Sequence, residues 1–169
     1  DKVTYVGYPD GGLVPYIGRR LARAGESGLA GCVGLQNAFT YYLRKVRPSR
    51  VFVPTHTDLH PDHRITHSEL MISLFHASGA IWPELGPSLA QVPMLGELAV
   101  YCDFAEQPNL EIMGDEEVFR TKLAGIEAYR SQVQIAALVN QIRKAGPYEY
   151  VRDFVFRLFS PDNYKQLFA

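Results

Sequence analysis

The run Val51-Phe52-Val53 constrains this chain more than any other segment. It is short, continuous and apolar, so it predicts a strand buried on both faces of a parallel sheet; a half-solvated strand would alternate. Helical spacing flanks it on both sides. Leu35, Phe39, Tyr42, Leu43 and Val46 recur at helix period from about Cys32 to Val46. Arg44, Lys45 and Arg47 suit a helix C-terminus, and Pro48 stops it. Beyond the strand, Pro61 pre-sets the first turn of a helix expected from about Asp62 to Ala77. Strands alternating with helices argue for an α/β layered fold.

The rest of the chain extends this pattern. Val3 to Tyr8 reads as a strand ended by the turn Pro9-Asp10-Gly11-Gly12. Arg19 to Gly31 reads as a loop with a short helix, its arginines solvated. Residues 79–97 are rich in Gly and Pro and read as a loop. Leu98 to Phe104 and Leu110-Glu111-Ile112 read as strands, and a long helix is expected from about Glu116 to Val139. Tyr148 to Phe159 is amphipathic and fits either helix or strand. A length of 169 residues suits one domain spanning 1–169.

Charge and composition exclude several functions. A formal net charge of −1 predicts no nucleic-acid or anionic-membrane partner. No apolar run is long enough to span a bilayer, and the start shows no signal peptide. Cys32 and Cys102 sit in apolar surroundings without metal-type spacing and read as buried free thiols, in keeping with a cytoplasmic location.

All five histidines, His56, His60, His63, His67 and His76, fall in one window at the carboxyl end of the predicted buried strand. Open α/β sheets place their ligands there. Clustering of this kind raises the case for a metal or acid–base site. Catalytic zinc takes three protein ligands and keeps a fourth position for water. Amide hydrolysis also needs a base for the water and an acid for the leaving amine. His60 and His63 can project to one side of a helix start, and Asp62 is placed to bond one of their rings. His63 and His67 share a helix face. His56 and His67 otherwise read as supporting or surface groups, and His76 as a helix-face residue.

The segment Asp58-x-His60-Pro61-Asp62-His63-Arg64 resembles the second signature of the PIG-L/LmbE-like deacetylases. Val6-Gly7-Tyr8-Pro9-Asp10-Gly11-Gly12-Leu13 resembles the family's strand-and-turn segment before that signature. Lys122-Leu123-Ala124-Gly125-Ile126-Glu127-Ala128-Tyr129-Arg130-Ser131-Gln132 resembles its later helix. The resemblance implies a Rossmann-like open sheet, mostly parallel, with helices on both faces. It implies a zinc-dependent hydrolase removing an acetyl group from an N-acetylglucosamine-type sugar or glycoconjugate. His63 would be a zinc ligand, His60 the electrophile or general acid, and Asp62 the group that orients and tunes His60. Asp10 matches a substrate-contacting position. Asp58 would orient the loop, and Arg64 reads as a structural ion-pair partner. His and carboxylate ligation would accept iron(II) or cobalt as well as zinc. The expected partner is a small-molecule or glycoconjugate substrate, and a homo-oligomer is compatible with this reading.

The family's first signature, Ala-His-Pro-Asp-Asp-Glu, is not in this sequence. It supplies two further zinc ligands and the carboxylate base. Three readings stay open: an incomplete piece of a longer enzyme, a degenerate paralogue, or a metal site rebuilt from His56, His63 and His67. The first is favoured, because removing the first strand of a parallel sheet leaves an unpaired edge and an uncovered face. The fold is therefore expected to lack its N-terminal part, and the chain by itself to be poorly stable and inactive. The rival function is a carbohydrate-binding or scaffold module that keeps the fold without a complete metal site.

Overall fold

Residues 3–131 and 133–165 are described by a computed structural model. They divide into two units, Asp1–Ala105 with Asp153–Ala169, and Glu106–Arg152. The first unit holds β1 (Arg20–Leu21), β2 (Cys32–Val33), α1 (Leu35–Val46), β3 (Arg50–Pro54), α2 (Pro61–Ser78) and β4 (Met94–Leu98). The second unit holds β5 (Leu110–Met113), α3 (Glu116–Glu127), α4 (Ile135–Ala145) and the first part of β6 (Tyr148–Val155). A four-residue α5 spans Asp162–Lys165.

In the first unit β3 pairs in parallel with β4, from Arg50↔Met94 to Pro54↔Leu98. A further bond, Thr55 N–H to Leu98 O at 2.9 Å, carries the pairing into the loop after β3. Leu43 of α1, Val53, Leu95, and Leu70 and Leu74 of α2 form the core. Each such side chain contributes about 1.5–3 kcal/mol relative to staying exposed. Val53 is buried, yet Phe52 on the opposite face is 49 % exposed, so β3 is not buried on both faces as expected. The apolar run reflects one packed face plus one large side chain left partly open.

Other expectations shift as well. Val3 to Tyr8 forms no strand; it has no ladder partner among the described residues and leaves Val3 and Tyr5 exposed. The strand expected at Leu98 to Phe104 lies earlier, at Met94–Leu98, inside the stretch read as a loop. Register with β3 decides its place, and the chain beyond Leu98 turns away to put Tyr101 N–H on Asp58. The long helix breaks into α3 and α4, which pack on each other and bury Leu123 and Val139. Two short helices folded together cover apolar faces that a single rod would leave in water. Asp115 caps α3, its carboxylate accepting Val118 N–H at 2.8 Å. Gln132 of the resembling helix lies outside the described residues.

Pairing is mixed rather than mostly parallel. β1–β2 and β5–β6 are antiparallel, the latter running from Leu110↔Val151 to Met113↔Tyr148. The α/β class holds, and the strictly Rossmann-like pattern does not. No helix among the described residues is long and apolar enough to cross a membrane.

Arg44 fixes α1 to the far end of α2. Its side chain is buried and donates to six main-chain oxygens, those of His76, Ala77, Gly79, Ile81, Trp82 and Gly86, at 2.6–3.4 Å. Three of them belong to the last turn of α2 and its cap, where a helix leaves carbonyls unpaired. Burial pulls the guanidinium below its ordinary pKa, and the nearby Glu84 carboxylate opposes this. Arg44→Met should cost about 3 kcal/mol or more, because the carbonyls lose their donors with no water to replace them. Urea unfolding of the variant measures it; a loss under about 1 kcal/mol would contradict the assignment.

Candidate active site

The loop from Thr55 to His60 leaves the carboxyl end of β3 and enters α2 at Pro61. Asp58 organises it. Its carboxylate is fully buried, and Oδ1 accepts His60 N–H at 2.8 Å while Oδ2 accepts Tyr101 N–H at 3.1 Å. Nδ1 of His63 lies 3.1 Å from the same Oδ1. Burial works to raise the Asp58 pKa, but the two amides and the His63 ring outweigh it and hold the carboxyl below its ordinary 3.8. Arg64 is exposed and donates to the Asp58 main-chain oxygen at 3.2 Å, a loop brace rather than an ion pair.

His60 is the N-cap of α2. Its Nδ1 accepts Asp62 N–H at 3.2 Å, a helix amide that would otherwise lack a partner. A lone pair at Nδ1 puts the proton of the neutral ring on Nε2. His63 has the opposite arrangement. Nδ1 of His63 faces the Asp58 carboxylate, which favours its proton there and leaves a lone pair on Nε2. The two rings lie 4.9 Å apart, and Tyr101 stacks on both, at 5.9 Å from His60 and 5.4 Å from His63. Two neighbouring imidazoles therefore present different groups: a donor N–H on one, an acceptor nitrogen on the other.

Asp62 meets His60 through its main-chain amide. Its buried carboxylate turns the other way and accepts Leu13 N–H at 3.3 Å. That bond draws the segment after the Asp10 turn toward the start of α2. Asp10 itself is exposed, and no contact from it to the histidines exists among the described residues. Behind this segment, Glu69 of α2 accepts Gly18 N–H at 2.5 Å and Gln36 Nε2–H at 3.3 Å. Gly34, at φ 126°, leaves room for the Gly18 carbonyl; a Cβ there would come within 2.2 Å of that oxygen.

His56 and His67 do not join His63 in one trio. They converge instead on Glu97 of β4, His56 Nδ1 at 3.2 Å and His67 Nε2 at 3.0 Å from Oε1. His76 packs against Trp82, ring centres 4.2 Å apart, and burial pushes its pKa down. Arg19 is not a solvated loop residue: it bonds Asn37 and Glu84 and lies 4.4 Å over the Trp82 ring. Both cysteines are free; Cys32 is buried and Cys102 half-buried.

Sequence reasoning missed Tyr101 and Glu97. Tyr101 carries no local signal, since only the turn after β4 brings it over the rings. Glu97 does carry one: a lone acid inside Met94-Leu95-Gly96-Glu97-Leu98 is unusual in a strand unless something pairs with it.

No family model matches this chain, and no curated protein sequence does. Solved structures that share its fold include the following two. One is the conserved protein TT1542 from Thermus thermophilus, with a TM-score of 0.64 and 23 % identity over 92 % of this chain. The other is the N,N'-diacetylchitobiose deacetylase from Pyrococcus horikoshii complexed with its inhibitor MPG, with a TM-score of 0.55 and 22 % identity over 79 % of this chain. The chain spans 66 % and 55 % of their respective lengths. At these identities the likeness is one of fold, and that fold is one in which a deacetylase is built.

Because Asp58 has a lower pKa folded than unfolded, the stability it contributes is present above the ordinary carboxylate range and is lost as pH falls below it. Asp58→Asn should lower the thermal midpoint at neutral pH and flatten its decline between about pH 5 and 3. Thermal melts across that range check it; an acid limb unchanged by the substitution would contradict it.

Proposed function

We propose that this chain belongs to a PIG-L/LmbE-like N-deacetylase, a metal-dependent hydrolase that removes the acetyl group from an N-acetylglucosamine-type sugar. The opposed tautomers of His60 and His63 carry the reading. Amide hydrolysis at a metal is served by an imidazole ligand with an N–H donor beside it, and the two neighbours at the head of α2 offer that pair. The deacetylase fold of the Pyrococcus horikoshii enzyme supports it.

The residues suit a divalent ion. A ligating histidine usually gives its other N–H to a carboxylate, and Asp58 stands at Nδ1 of His63. Zinc, or iron(II) in its place, would bind Nε2 and supply Lewis acidity to the acetyl carbonyl and a lowered pKa to a water. The chain's own residues do the rest. Asp58 fixes the His63 ring through its buried carboxylate. The Asp62 amide holds His60 so that Nε2–H can donate a hydrogen bond to the negative charge developing on the acetyl oxygen. Tyr101 covers both rings and limits their rotation. Asp10, on the turn before Leu13, is the candidate contact to the sugar. The family's carboxylate base and further ligands belong to a signature that these residues do not include.

Amine release from N-acetylated amino sugars by the intact protein tests the proposal. His63→Ala should abolish activity and the metal needed for it. His60→Gln should lower kcat about 10²–10⁴-fold with little change in KM. Full activity in His63→Ala, or no hydrolysis across a panel of N-acetyl hexosamines and chitobiose-type sugars, would sink it.

A further inference from the structure

Glu97 is an acid in the middle of β4 with only 1 % of its surface exposed. A buried carboxylate is costly without a positive or hydrogen-bonding partner. Here two imidazoles reach it from two other elements. His56 comes from the loop after β3, and His67 from the second turn of α2. Both nitrogens meet the same oxygen, and one donor atom from each of the three residues lies within 4.8 Å of the others.

We propose that His56, His67 and Glu97 form a site for a borderline divalent cation of the zinc or cobalt type, which fastens the exit of β3 to α2 and β4. Two neutral imidazoles and one carboxylate favour such metals over magnesium or calcium, which prefer oxygen. Bonds of 2.0–2.2 Å at tetrahedral angles set neighbouring ligand atoms about 3.3 Å apart. The observed N···O separations, 3.2 and 3.0 Å, are close to that edge, and the two ring nitrogens lie within 4.8 Å of each other, so ring rotation sets the third edge. Three protein ligands leave a fourth position for water. Burial supplies a route as well. The Glu97 side chain is sealed, that of His67 is 13 % exposed, and that of His56 is 51 % exposed, which makes His56 the entry side.

The consequence is mechanical. Val53 and Glu97 are register partners, so the β3–β4 ladder already aligns the two strands at this level. The loop from Thr55 to His60 then depends on Asp58 at one end. A cation at His56 would hold its other end, and so hold the turn that carries His60 and His63. This inference does not depend on the deacetylase reading, because it needs no substrate and does not use His63.

The experiment is zinc binding by equilibrium dialysis of the purified protein, with cobalt(II) absorption as a second readout. One equivalent should bind at this site in the wild type and persist in His63→Ala, over and above any ion lost with the His63 ring. Glu97→Gln and His67→Ala should each lose it, together with the visible d–d bands of four-coordinate cobalt. Zinc at about a hundredfold over Kd should raise the wild-type Tm by several degrees and leave that of Glu97→Gln unmoved. His56→Ala replaces a half-exposed ring and guards against misfolding of the buried variants; it should keep the wild-type circular dichroism and lose the equivalent. Zinc uptake unchanged in His56→Ala and Glu97→Gln, or abolished by His63→Ala alone, would overturn the assignment.

Discussion

Arg44 holds the first unit in the form its site requires. A guanidinium without a paired carboxylate is an expensive thing to bury, and here main-chain carbonyls alone receive it. They come from the end of α2 and from the turns that follow it. One side chain of α1 thus fixes where α2 stops and how the chain leaves it. Since α2 is stiff, fixing its far end also limits where its first turn can lie. The leucines between the helices set their separation, and Arg44 restricts sliding along their length.

At the other end of α2 the chemistry depends on which atom faces each ring nitrogen. His60 and His63 are the same residue type, one turn apart. A main-chain amide faces one and a carboxylate faces the other. That difference favours opposite tautomers in the two rings, an Nε2–H on one and a bare Nε2 on the other, with no need for distinct burial. Asp58 serves two purposes here. It orients His63, and it also folds the loop by accepting two amides, so loop shape and ring tautomer share one carboxylate.

Much of this could be read from the residues. The strand at Val51–Val53, the helix opened by Pro61, and the convergence of histidines between them follow from local chemistry, and so does the short strand at Leu110. What could not be read depends on partners distant in sequence. β4 takes its position from register with β3, so the Gly- and Pro-rich stretch concealed it. The gap between α3 and α4 has no proline to announce it; tertiary packing of the two helices overrides continuous helical spacing. Glu97 joins His56 and His67 only once strand and helix are in place. The acid at position 62 looked like an imidazole partner through its carboxylate, and in three dimensions its amide takes that part.

The helix that Pro61 opens has one more effect. Peptide dipoles along this eighteen-residue helix add up to about half a positive charge at its first turn, where His60 and His63 reside. That partial charge offsets part of the negative charge that the buried Asp58 carboxylate brings beside His63.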